Sequence, residues 1–351
     1  MSATGSATDL RRGLSASSVA VRVTARYICA LGSNTMAGSP SNTVAPSLAG
    51  QAPQADIGTW DFVAFSIAHA VAGVLLALLS LRGLYHVGRW LGTLEWLINY
   101  KRRRRFGAAM SQVLDQTPSP TERRRVTREF FMRIRCDKIF YLIIDRLPRE
   151  KAVSLLAIDN QDLLDDSVRR GRGVYVAFSH HGPLHVCAML LSLHGYRVVA
   201  IRDRREGGIR RYVQNRFDRY HPQTRRTHFL FADSYPRDIY RCFQDKCVVS
   251  SALDLGRIRN PNQKVEELTI FGEKRPFLTG PLRIAMRCGA PVLQAFMFPE
   301  PGFRYRLRFV ETLVDPDQSG DEASIIKTAL QTYAANVERN VRSDPSLLAR
   351  I

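Results

Sequence analysis

Three imidazoles fall within six residues at Ser179-His180-His181-Gly182-Pro183-Leu184-His185, in a chain of 351 residues with eight histidines. Near neutral pH an imidazole can take up a proton, ligate a metal or activate a nucleophile. One histidine is more often structural; three beside a glycine and a proline point to a functional turn. His181 and His185 stand i,i+4 and could share a helix face, but no third metal ligand is local and HExxH is absent. A serine nucleophile would need an elbow such as GxSxG, which the chain lacks. The third chemistry is a histidine general base that deprotonates a substrate hydroxyl without a covalent enzyme intermediate.

Such a turn has to be held by regular elements, and the flanking residues predict them. Val174–Phe178 (VYVAF) reads as a short buried strand, and Leu184–Leu193 as a helix closed by His194-Gly195. A second strand follows at Tyr196–Ile201. Further strands are expected at His228–Ala232, Cys247–Leu253, Ala290–Phe298 and Tyr305–Val310, with helices around 207–219, 234–243 and 279–288 between them. A last amphipathic helix covers about Asp321–Val341, and residues 121–146 read as one or two helices. Alternating strands and helices with short connections predict an α/β fold with a largely parallel sheet flanked by helices. Ligands of such sheets gather beyond the carboxyl ends of the strands, where the histidine turn falls.

The first hundred residues differ in kind. Residues 1–56 are rich in Ser, Ala, Thr, Gly and Pro; they read as a low-complexity, disordered segment, a targeting peptide, or the product of a wrongly assigned start, with Met36 an alternative. Phe62–Leu81 then runs for twenty residues without a formal charge, which predicts an N-terminal membrane helix. Tyr85, Trp90 and Trp96 suit an interfacial belt, so 57–100 reads as anchor plus interfacial helix. Lys101-Arg102-Arg103-Arg104-Arg105 follows, and residues 101–150 hold 14 Lys/Arg against six Asp/Glu, whereas 40–61 hold neither Lys nor Arg. The positive side stays inside, so the domain 101–351 is expected to face the cytoplasm from a cell inner membrane.

Charge and cysteine usage narrow the partners. With 51 Lys+Arg against 32 Asp+Glu the net charge is +19, which predicts anionic company. Seven lysines against 44 arginines reflect in part a GC-rich coding bias. The six cysteines form no CxxC and no zinc spacing, so reduced, mostly buried thiols are expected, with no metal and no cofactor. The apolar run and the absence of a nucleic-acid module argue against a nucleic-acid partner.

Taken in order, the motifs resemble the late lipid A acyltransferases (lauroyl and myristoyl transferases) within the glycerolipid acyltransferase superfamily. The likeness runs from about Leu84 to Val314. It is carried by LYHVGRWLGTLEWLINYKRRRRFGAAMSQVL with SPTERRRVTREFF, by GRGVYVAFSHHGPLH, and by LDLG at 253–256 followed by IFGEKRPFLTGPLRIAMRCGAPVLQAFM. The resemblance implies a membrane-bound enzyme in which His180 is the base. Its acyl donor would be a thioester of acyl carrier protein or coenzyme A, and its acceptor an anionic lipid or glycolipid such as a lipid A precursor. It also implies a substrate site drawn from Gly182, Arg202, Arg204, Asp254, Phe271, Gly272, Thr279 and Gly280, with Arg202 on the acceptor's phosphate, as guanidinium forks suit. One departure stands out. Where the family carries a carboxylate five residues after the base, this chain has His185, so the second catalytic position is expected to be His185 as orienting acceptor, or Asp254 or Asp203 from elsewhere in the chain. The alternative is a lipid-binding relative that has lost the reaction.

Overall fold

The computed structural model describes residues 58–113, 118–202, 208–220, 227–231, 236–254, 258 and 263–348. Four helices come first: α1 (Thr59–Leu78), α2 (Leu81–Ile98), α3 (Tyr100–Val113) and α4 (Pro120–Ile143). Alternation begins after a 3-10 turn at Ile144–Arg146. It runs α5 (Arg149–Val153), β1 (Leu156–Asp159), α6 (Gln161–Arg169), β2 (Val174–Phe178), α7 (Leu184–Leu193), β3 (Val198–Arg202), α8 (Gly208–Tyr220), β4 (Thr227–Phe231), α9 (Pro236–Gln244) and β5 (Val248–Ala252). A hairpin of β6 (Val265–Ile270) and β7 (Glu273–Leu278) precedes α10 (Gly280–Arg287), β8 (Val292–Glu300), β9 (Arg304–Val314) and α11 (Glu322–Ser343).

Seven strands form one sheet in the order β1-β9-β8-β2-β5-β3-β4. Five of them, β8, β2, β5, β3 and β4, run parallel; β9 turns back antiparallel on β8 and β1 pairs parallel to β9. The fold is therefore α/β with a mostly parallel sheet flanked by helices. The central strand β2 (VYVAF) is buried along its whole length because both faces are covered. Along β2 the side chains alternate between two cores: Val174, Val176 and Phe178 join the layer with α7 and α4, while Tyr175 and Ala177 join the layer with α10 and α11.

The predicted strands and helices fall within a few residues of the observed ones. Unanticipated were β1 and α6, whose polar ends hide their short apolar cores, and the pairing of β6 with β7, where the sequence had suggested only a motif. The apolar run is helical over Thr59–Leu78. It is the single helix among the described residues long and apolar enough to cross a bilayer. One of its faces, Phe65, His69, Ala72 and Gly73, is buried against the domain.

Candidate active site

β2 ends at Phe178 and β5 at Ala252, which are register partners. The chain leaves both strands at the same sheet edge, so Ser179–His180 and Leu253–Asp254 emerge side by side. The backbone N–H of His180 donates to both carboxylate oxygens of Asp254, at 3.1 and 2.9 Å. The His180 Nδ1 lies 3.3 Å from Asp254 Oδ1. That is long for a hydrogen bond but within an ion-pair contact, and catalytic contacts commonly tighten once substrate is bound. The His180 side chain stays 26% exposed while its Nδ1 faces a carboxylate.

A third residue completes the arrangement. The Tyr333 hydroxyl on α11 reaches the carbonyl of Phe178 at 2.7 Å and Asp254 Oδ1 at 3.0 Å. Burial, and next to it the Asp254 carboxylate, push the Tyr333 phenol well above its ordinary range, so it remains a neutral donor. Its helix is in turn tied to the sheet: Gln294 of β8 donates to the Tyr333 carbonyl at 3.1 Å, and Asn336 donates to Gln294 Oε1 at 2.8 Å and to Glu311. Tyr333 was legible in the sequence only as one apolar position of an amphipathic helix; a phenol that must find a partner when buried was the available signal.

The other two histidines of the turn serve different ends. His181 is buried; its Nε2 approaches the Asp344 carbonyl at 3.3 Å and its ring meets Phe296 and Phe298 edge-on. Burial lowers its pKa to about 4, so it is a neutral, structural imidazole at pH 7. Of the residues expected to partner His180, Asp254 is the one set against it, and His185 is placed otherwise. It is the second residue of α7, with its ring 5.4 Å from that of Tyr141 and no hydrogen bond to His180 among the described residues. The carboxylate that faces His180 is that of Asp254, 74 residues downstream, because parallel strands β2 and β5 are neighbours. Burial chiefly, then the charges of Arg210, Arg202 and Lys138, hold the His185 pKa well below its ordinary value. Those three cations are the charged groups that act on this neutral ring.

Arg202 is the last residue of β3, on the same sheet edge, and its guanidinium stacks 3.4 Å from the Phe229 ring centroid. Arg204 and Asp203 lie outside the described residues. Gly182 does approach another group closely, as anticipated, but that group is protein. Its φ is +80°, any Cβ there would collide with the Met297 carbonyl of β8, and its N–H donates to the Leu347 carbonyl at 2.8 Å. Its amide is therefore already used. Phe271 and Gly272 form the two-residue turn between β6 and β7, with φ of 53° and 76°. Positive φ at both positions suits this hairpin turn, and the Phe271 N–H is taken by Glu338 of α11. They lie at the hairpin tip, whereas Phe277 at the other end bridges Asp254. Thr279 and Gly280 follow from that near end. Thr279 is buried with its N–H on the Lys264 carbonyl at 3.0 Å, and Gly280 opens α10 with free space beside it. The structure thus gathers His180, Asp254 and Tyr333 tightly, places Arg202 at the carboxyl end of β3 and His185 against Tyr141, and leaves Phe271 and Gly272 in a structural turn.

Neither protein-family models nor curated proteins gave a match to this chain.

Proposed function

We propose that the protein is a membrane-associated acyltransferase that moves a fatty acyl chain from a thioester donor to a hydroxyl or amine of a lipid acceptor. The observation that carries this reading is the imidazole of His180, partly exposed and with its Nδ1 faced by the Asp254 carboxylate. A base so arranged removes the acceptor's proton as its oxygen or nitrogen attacks the thioester carbonyl. The proton passes to Nε2 of His180, and Asp254 stabilises the imidazolium that forms. Collapse of the tetrahedral intermediate breaks the C–S bond and releases the donor thiolate, to which His180 returns the proton. The Arg202, Arg210 and Lys138 cluster suits an anionic acceptor such as a phosphorylated glycolipid. The basic chain suits the acidic surface of an acyl carrier protein as donor, with acyl coenzyme A the other thioester.

The test is lipid mass spectrometry of the host with and without the gene, complemented by wild type or by His180→Ala. The expected result is a lipid that loses one acyl group in the deletion strain and regains it only with wild type. An unchanged lipid profile, with purified protein that binds lipid but transfers nothing, would replace this reading with that of a non-catalytic relative.

A further inference from the structure

Helix α1 carries two different faces. The inward face holds a polar cluster at mid-helix. His69, the eleventh of its 20 residues, has Nε2 at 3.0 Å from both Asp145 carboxylate oxygens. Arg146 reaches His69 Nδ1 at 2.9 Å and its carbonyl at 3.3 Å, and Arg216 Nε donates to Asp145 at 3.0 Å. The Arg146 guanidinium occupies the space that any Cβ on Gly73 would fill, so this glycine lets the arginine lie flat on the helix. Tyr212 of α8 packs against Phe62, Phe65 and His69. His69 and Asp145 are almost wholly buried, with side-chain exposures of 4% and 1%.

The outward face is Trp60, Val63, Ile67, Val71, Val74 and Leu78, all exposed and spaced three or four residues apart. A second exposed stripe follows on α2 at Trp90, Leu94, Leu97 and Ile98. Immediately after it come the exposed cations Lys101, Arg104 and Arg105. Apolar stripes followed by basic residues are the pattern of a helix lying in an anionic headgroup layer.

We propose that α1 lies in the plane of an anionic phospholipid surface, its outward face in lipid and its inward face on the α/β domain, so that the chain does not cross the bilayer there. A helix of 20 residues spans about 30 Å, so a crossing would centre His69 at the bilayer midplane. Asp145, Arg146 and Arg216 would be carried in with it or torn from it. An in-plane helix keeps the cluster buried in protein and still removes the apolar stripe from water. The inference is independent of the acyltransferase reading, and its readouts need no activity.

The test uses full-length protein with Cys29→Ser, since Cys136, Cys187, Cys242 and Cys247 are buried and Cys288 is partly so. Reporter cysteines are placed singly at Gly58, where an added Cβ meets nothing within 4 Å, and at exposed Thr121. In-plane binding predicts that Gly58→Cys and Thr121→Cys react with a membrane-impermeant maleimide from the same side, in inverted vesicles and not in intact spheroplasts. Labelling of Gly58→Cys from outside, with Thr121→Cys labelled only from inside, would overturn the proposal in favour of a crossing. In a second arm, purified protein is floated with vesicles of phosphatidylglycerol mixed with phosphatidylcholine, and with phosphatidylcholine alone. The proposal expects preference for the anionic vesicles and at least tenfold weaker binding by Val71→Asp, with an unchanged melting temperature because Val71 is 53% exposed. Equal flotation of wild type and a folded Val71→Asp variant would overturn it. So would protein that stays soluble without vesicles, with the face covered by the chain's own first 57 residues or a second copy.

Discussion

Replacing Asp254 by Asn tests the inferred base at its most exposed assumption. The side chain keeps its shape but loses its charge, and one of its two oxygens becomes an NH2 donor. In the native site every close partner is a donor: the His180 N–H at 2.9 and 3.1 Å and the Tyr333 hydroxyl at 3.0 Å. The amide must therefore turn a donor toward a donor or give up one partner. Losing one bond to an ionised acceptor costs about 1.5–3 kcal/mol. In a domain of this size that lowers the melting temperature by several degrees. The catalytic cost is larger, because nothing else in the dyad offers negative charge to the imidazolium. Neutralising an orienting carboxylate in this kind of arrangement lowers the rate by about 10³–10⁴, or roughly 4–5.5 kcal/mol in the barrier. We expect Asp254→Asn to lose that much kcat with a small change in acceptor KM, measured as acyl transfer from an acyl carrier protein thioester with purified protein. Tyr333→Phe should lose about tenfold, since one neutral donor to the carboxylate is removed. Circular dichroism melts separate a folded, slow enzyme from an unfolded one. A folded Asp254→Asn variant within threefold of wild type, alongside a dead His180→Ala, would refute the role given to Asp254.

Three further outcomes are expected. His185→Ala should leave kcat within a few fold, whereas His185→Glu, which sets a carboxylate among Arg202, Arg210 and Lys138, should raise acceptor KM; the pattern of KM against kcat checks both. Asp137 lines a cavity of about 100 Å³ with Arg89, Glu129, Cys136 and Tyr305, and burial raises its pKa to about 7. The folded state therefore binds the extra proton between pH 4 and 7, so this group's contribution is favourable below pH 4 and is lost as pH rises through 7. Asp137→Asn should accordingly raise the melting temperature at pH 8 and change it little at pH 4. Gly182→Ala should destabilise by about 3 kcal/mol or more in urea unfolding, from a side chain forced to φ +80° and displacement of the β8 backbone at Met297.

Local pattern was enough for the parts whose physics is local. The apolar β-branched run Val174–Phe178, the helix 184–193 ended by His194-Gly195, and the last amphipathic helix announce their elements because burial period and end signals are written in consecutive residues. The same holds for placing the histidine turn at a strand end, and for the long uncharged run. What pairs with His180 was not local. Along the chain, the position five residues on is His185, and the sequence offered Asp254 and Asp203 as alternatives without deciding among them; the residue that faces His180 is Asp254, brought alongside because β5 lies next to β2. Strand order depends on how whole layers bury their faces, and no window of sequence contains it. Tyr333 reaches the site for the same reason, through a helix packed across the sheet. The uncharged helix makes the point most sharply: twenty apolar residues read alike in lipid and in a protein core. Only the packed structure sets Asp145, Arg146 and Arg216 around His69, and a buried polar cluster at mid-helix decides which face of that helix turns inward and which stays exposed.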